Sequence, residues 1–278
     1  MPVACSLFAL HSTATGGYPW IRLSRPASPL SRPCGRHGCL KNQSPELPLS
    51  GRGSTSPISS GGYDIYPQQT LQPFALLDSL LRLKLATAGN LYLLAFDVSD
   101  RVIYHLETAR KLAAAGQAYR INVPLDSSVP RSDLLLSYWT QFGDRIAKPA
   151  EPLPSLAQRK EPRSRAIAVH PDIVALVMPV NLNVVTHRPA GHWKGSFDLA
   201  VATNVLVYYS VLDQSLALAN LQTMLRPGGL FLCHNSLLEL PVLQMHSARV
   251  TAVEYSTRAD DGDFVVHYLR PQSAARPQ

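Results

Sequence analysis

Apolar positions recur along the chain at two spacings, and the alternation between them predicts the elements. Phe74–Ala86 (FALLDSLLRLKLA) has apolar residues at 74, 76, 77, 80, 81, 83 and 85, a helical stripe closed by Gly89-Asn90. Leu91–Phe96 (LYLLAF) is an unbroken apolar run of strand length, expected of a strand buried on both faces, and it stops at Asp97. Ser99 is an N-cap for a helix over residues 101–115. Arg131–Ile146 reads as a further helix, with Leu134–Leu136, Tyr138, Trp139 and Phe142 on its apolar face. Pro149–Arg165 carries four prolines among charges and reads as a surface loop. Arg165–His170 and Ile173–Met178 are strand candidates separated by Pro171, and His170 is an ordinary strand-end residue.

Residues 196–235 hold the clearest pattern. Phe197–Ala202 (FDLAVA) reads as a buried strand running into Thr203-Asn204-Val-Leu-Val-Tyr208-Tyr209. Val211–Leu225 follows as a helix, closed by Arg226-Pro227-Gly228-Gly229, and Leu230–Cys233 is the next strand, ending at His234-Asn235. Strands near Val250–Tyr255 and Phe264–Leu269 form a terminal hairpin around Asp260-Asp261-Gly262-Asp263. Strands alternating with helices argue an α/β fold with a mostly parallel sheet and a C-terminal antiparallel hairpin.

Composition sets the first 60 residues apart. They carry six Lys and Arg against the single acid Glu46, together with 11 Ser, 8 Pro and 6 Gly, whereas the rest of the chain is close to neutral. Such a segment favours turns and disorder over a packed core. The expected organisation is a disordered leader over 1–60 and one folded domain over 61–278. The start Met1–Leu10 lacks a basic region, and its apolar run is too short for a secretory signal. An organelle transit peptide, or a segment arising from a wrong start or frame, both fit it. Scattered basic residues without interleaved aromatics argue against nucleic-acid binding, and no apolar run reaches the length of a membrane span. The expected location is cytoplasmic.

Cys34 and Cys39 flank His37, but no second ligand pair exists, so neither a zinc site nor any other metal is expected. The absence of a strand–GxGxxG–helix unit argues against a nicotinamide dehydrogenase.

FDLAVATNVLVYY at 197–209 and LRPGGLFLCHN at 225–235 together resemble class I S-adenosylmethionine-dependent methyltransferases, nearest to the chemotaxis-receptor glutamate methyltransferase family. Asn204 and Tyr208 fall on that family's Asn and Tyr. AFDVSDRVIYHLETAR (95–110) is similar to its strand-end acidic motif, with Asp97 on the acid; AAAGQAYR (113–120) and SYWTQFGDRI (137–146) resemble its Gly-x-Tyr and Tyr-Phe segments; PVNLNVV (179–185) lies where the family has its Asn-Leu-Leu segment beside adenine. The resemblance covers about residues 68–270. It implies a Rossmann-like methyltransferase fold, S-adenosylmethionine as cofactor, and a carboxylate acceptor on a small molecule or a protein. The chain departs from the family at its Gly-rich cofactor loop, where Pro67–Gln72 (PQQTLQ) stands with Thr70 at the glycine, and at Thr203, where the family has Arg. No apolar first strand precedes that loop, so the sheet is expected to lack its first strand or hold a degenerate one.

The chemistry explains why these residue types matter. Methyl transfer from a sulfonium is an in-line displacement in which the protein chiefly binds and aligns. A strand-end carboxylate such as Asp97 accepts both ribose hydroxyls, or else serves as an acid at a helix N-terminus. Asn204 suits the cofactor's polar tail or a turn. Asn181 and Leu182 suit the flanks of adenine, and Tyr208 the orientation of an incoming carboxylate, or else core packing. The resulting expectation is an S-adenosylmethionine-dependent methyltransferase, with a non-catalytic or truncated relative as the alternative.

Overall fold

The computed structural model describes residues 7–12, 70–124, 133–151, 164–188, 191–203, 205–254 and 262–272. In chain order the first elements are β1 (Leu7–Ser12), α1 (Gln72–Arg82), β2 (Leu91–Asp97), α2 (Asp100–Ala114), β3 (Tyr119–Pro124), α3 (Asp133–Gln141), β4 (Ala147–Ala150) and β5 (Ser164–Val169). There follow α4 (Pro171–Ala175), β6 (Val177–Asn181), β7 (Phe197–Ala202), α5 (Val211–Met224), β8 (Leu225–Cys233), β9 (His246–Glu254) and β10 (Gly262–Leu269). The structure is α/β. A seven-stranded sheet has the order β6-β2-β1-β7-β8-β10-β9, and a small antiparallel sheet the order β3-β5-β4.

The larger sheet divides two cores because β2 is an unbroken apolar run from Leu91 to Phe96, with buried side chains on both faces. Leu94 and Phe96 face a core shared with β7, with β8 and with Ala217, Leu218 and Leu221 of α5. Leu91, Leu93 and Ala95 face Phe74 and Leu77 of α1, Leu106 and Ala109 of α2, and Ile121 and Ile167 of the small sheet. Each fully buried Leu, Ile or Phe among these contributes about 1.5–3 kcal/mol. Among the described residues, no helix is long and apolar enough to cross a membrane.

Parallel pairing joins β2 to β6 and β7 to β8, while the C-terminal pair β9–β10 is antiparallel, the hairpin read from the sequence. The place between β2 and β7 is filled by β1, which pairs antiparallel with both, Leu7 opposite Phe96 and Ala202. The expectation of a sheet without its first strand is therefore corrected. The strand comes from within the leader and runs against its neighbours; four apolar residues, Leu7–Leu10, followed by His11 and Ser12 gave too little pattern to see. The remainder of 1–60 lies outside the described residues.

Three boundaries also move. Ile173–Met178 is not one strand: Pro171 starts the short helix α4 at a position suited to proline, and β6 begins at Val177. Pro149 sits inside β4 rather than in a loop, which an edge strand tolerates. Helix α1 stops at Arg82, before Gly89. Leu85 N–H donates to the Leu80 carbonyl (2.9 Å) and Lys84 N–H to the Leu81 carbonyl (3.2 Å), a helix end that puts Lys84 in the left-handed region at φ +57°. The Pro-Gly-Gly segment is a bulge between β7 and β8. A Cβ on Gly229 would lie 2.8 Å from the Arg226 carbonyl oxygen and 3.1 Å from that of Phe197. Beside it, the Arg226 guanidinium pairs with the buried carboxylate of Asp198.

Two substitutions test this backbone reading by thermal denaturation. Lys84→Gly relieves a left-handed lysine and is expected to stabilise by about 1 kcal/mol, raising Tm by about 2–4 °C. Gly229→Ala forces two backbone segments apart and is expected to destabilise by about 1–3 kcal/mol.

Candidate functional site

Parallel pairing brings the carboxyl ends of β2 and β6 together, with Asp97 opposite Asn181. The Leu182 N–H donates to the Asp97 carbonyl oxygen at 3.0 Å, so the chain leaving β6 stays beside the acid. Asp97 is 8% exposed, and its Oδ1 accepts the Ser99 N–H at 2.8 Å, which fixes the carboxylate as the chain turns into α2. Asn183 Oδ1 then accepts the Val185 N–H at 2.9 Å and closes a tight turn after Leu182.

Helix α5 pins both loops of this edge with side-chain amides. Asn220 Nδ2 donates to the carbonyls of Val184 (2.7 Å) and Val185 (3.0 Å). Gln214 Nε2 donates to those of Leu206 and Tyr209, each at 3.0 Å, in the turn that follows β7. Between the loops lies a shallow cleft, partly open to solvent. Phe96, Asp97 and Val98 line it from the end of β2, Leu182, Asn183 and Val184 from the end of β6, and Val205 and Tyr209 from beyond β7. One acid thus stands at the edge of an apolar slot, an arrangement suited to a ligand with a flat apolar group and adjacent hydroxyls.

The structure brings Asp97 and Leu182 to this pocket. Asn181 turns its amide to Asp100 Oδ1 at 2.8 Å, linking β6 to the start of α2. Tyr208 is 75% exposed, and its neighbour Tyr209 lines the pocket in its place. Asn204 lies outside the described residues. The sequence reading passed over Asn183, Val184 and Val205, and ranked Tyr209 below Tyr208. The runs NLNVV and YY pointed to them, but only the turn geometry decides which member faces inward.

A second polar cluster lies where α1, α2 and β3 meet. Thr70 is buried, and its N–H donates to Tyr119 Oη at 2.8 Å; His105 Nε2 stands 2.8 Å from the same oxygen. Burial pushes the Tyr119 phenol up to about 12, so it stays protonated at neutral pH. Burial, helped by the Arg101 charge, holds His105 below the ordinary histidine value. Cys233 is buried, donates to the Asn235 carbonyl at 3.0 Å and has its thiol pushed up to about 12, which leaves it inert as a nucleophile. Among the described residues, no three metal-ligating side chains converge.

No protein-family model matches this chain, and no curated protein matches it.

Removing the Asn220 amide leaves two carbonyls of the pocket wall without their donor. Asn220→Ala is expected to cost about 1–2 kcal/mol and to speed amide exchange across residues 182–186. The sign of the His105 effect follows from its lowered value. The unfolded chain binds that proton more readily than the folded one, so stability falls as pH drops through the ordinary histidine range and below. In His105→Gln, the loss of Tm between about pH 7 and about pH 5 is expected to be shallower.

Proposed function

We propose that this chain is an S-adenosylmethionine-dependent methyltransferase whose adenosine subsite is the pocket at Asp97. The observation that carries the reading is the position of that pocket. Taken in chain order, the strands of the larger sheet run third, second, first, fourth, fifth, then the reversed hairpin, and the pocket lies at the carboxyl ends of the second, third and fourth. In doubly wound α/β sheets the ligand crevice lies outside the carboxyl ends of the strands, at the point where strand order reverses. The division of helices supports the same Rossmann-like reading, with α1 and α2 on one face and α5 on the other.

The residue types along this cleft suit the adenosine half of the cofactor. Asp97, whose Oδ1 accepts the Ser99 amide, would be the acceptor for the ribose hydroxyls, since an ionised carboxylate has acceptor capacity for several donors. Leu182, Val184 and Val205 give adenine an apolar bed. The methionine half has no glycine cradle among the described residues. Reversal of β1 puts Ser12 beside Leu91, at the opposite edge of the sheet, and the Thr70 amide is taken by Tyr119. The bound cofactor supplies a methyl group already activated on sulfur. This chain's part is to bind and align, to keep water from the Val205–Tyr209 side, and to let Tyr208 meet an acceptor from solvent. A carboxylate acceptor arrives ionised, so no general base is required. Such chemistry suits a cytoplasmic setting, with the acceptor's carboxylate on a small molecule or a protein.

The reversed β1 favours a second reading, a methyltransferase-like protein that no longer binds the cofactor. Calorimetric titration of S-adenosylhomocysteine into the full chain separates the two. Micromolar binding is expected, weakened about 10- to 100-fold by Asp97→Ala, as for loss of hydrogen bonds to a charged group. Tyr208→Phe is expected to leave that affinity unchanged. Binding indifferent to Asp97→Ala would remove the ribose assignment, and no binding to the folded protein would establish the second reading.

A further inference from the structure

We propose that the slot between β2 and β7 is a docking site for a strand exchanged between copies of this chain, β1 of one molecule pairing with β2 and β7 of a second. Four observations carry this. The strand is six residues long and joins the sheet through main-chain pairing on both edges, six residue pairs with β2 and four with β7. A second copy offers the same two edges, so exchange preserves every one of those pairs. Its direction opposes that of β2, β6, β7 and β8, so it is not part of a strand–helix–strand unit with α1. Its link to α1 runs from residue 13 to residue 69 and is rich in Ser, Pro and Gly.

That link sets the balance between the closed and exchanged forms. A connection of that many residues has a full reach on the order of 190 Å, ample to carry β1 into a neighbour. Tethering at such lengths corresponds to an effective concentration on the order of millimolar or below. The closed monomer therefore dominates at micromolar protein, and the exchanged dimer grows as concentration approaches millimolar. Exchanging an identical element between protomers is a low-cost route to a dimer because no new interface has to be built. In the exchanged form the occupant of the slot is thus β1 of a second copy of the chain rather than an unrelated partner.

Register-matched cysteines test the proposal in the full chain with Cys5, Cys34 and Cys39 replaced by serine. Phe8 lies opposite Ala95 and His11 opposite Tyr92. The two positions differ in parity, so one is a hydrogen-bonded pair and the other is not; together they cover the Cα separations a disulfide accepts. A chain carrying both Phe8→Cys and Ala95→Cys, or both His11→Cys and Tyr92→Cys, is expected to close internally on mild oxidation at micromolar concentration. Molecules carrying only Phe8→Cys are then mixed with molecules carrying only Ala95→Cys, warmed and oxidised. The disulfide-linked mixed dimer is expected, its ratio to monomer rising roughly tenfold for each tenfold rise in protein concentration. Internal closure without any mixed dimer up to millimolar protein would overturn the exchange. Failure of both double variants to close would overturn the slot itself.

Discussion

Two apolar strands running in the same direction, β2 and β7, stand two strand spacings apart, about 10 Å, and the main-chain groups on their facing edges must be met. The rest of the architecture depends on that constraint. A single strand, β1, answers both edges and makes one continuous sheet from two parallel pairs. Continuity lets β2 serve two cores at once, Leu94 and Phe96 on one side and Leu91, Leu93 and Ala95 on the other. The two cores then hold α5 on one face and α1, α2 and the small sheet on the other.

The reversal of β1 shapes the site as much as its presence does. At the carboxyl edge the described walls come from the chain leaving β2, β6 and β7. These loops are held by directed polar contacts rather than by bulk. Asp97 receives the Ser99 amide, while Asn220 and Gln214 reach from one helix to two loops on either side of the pocket. Elsewhere guanidinium groups do the same work for helix ends: Arg165 binds the carbonyls of Trp139 and Phe142 after α3, and Arg270 those of Gln222 and Leu225 after α5. Each satisfies carbonyls that a helix end leaves without partners.

Much of this was legible in the sequence where a long apolar run met an unambiguous stop. β2 ends at Asp97, β7 spans Phe197–Ala202 as read, and α2 begins after Ser99. Legibility failed where one residue type serves two geometries. Ile173 and Val174 are buried on a helical turn and Val177 in a strand, and nothing in their composition separates them. Proline was taken as a stop, although Pro149 and Pro179 sit within edge strands that spare one row of donors. Asp97 was legible because a strand end is visible in a pattern, whereas Leu182 was named only through the resemblance of PVNLNVV to a family segment. The choice between Tyr208 and Tyr209 was not legible, because a single turn of 3₁₀ helix at Leu206–Tyr208 sets which ring faces in.

The position of β1 along the chain also bears on how quickly the protein can assemble. Leu7 finds its partners at Phe96 and Ala202, so the pairing that completes the sheet is among the least local in the molecule. Such contacts form late, since the entropy of closing long loops is spent before they are gained. Until then β2 and β7 each present a bare apolar edge, the kind of surface on which folding chains aggregate. Yield on refolding should therefore depend more on crowding by other nascent chains than on the final stability of the sheet.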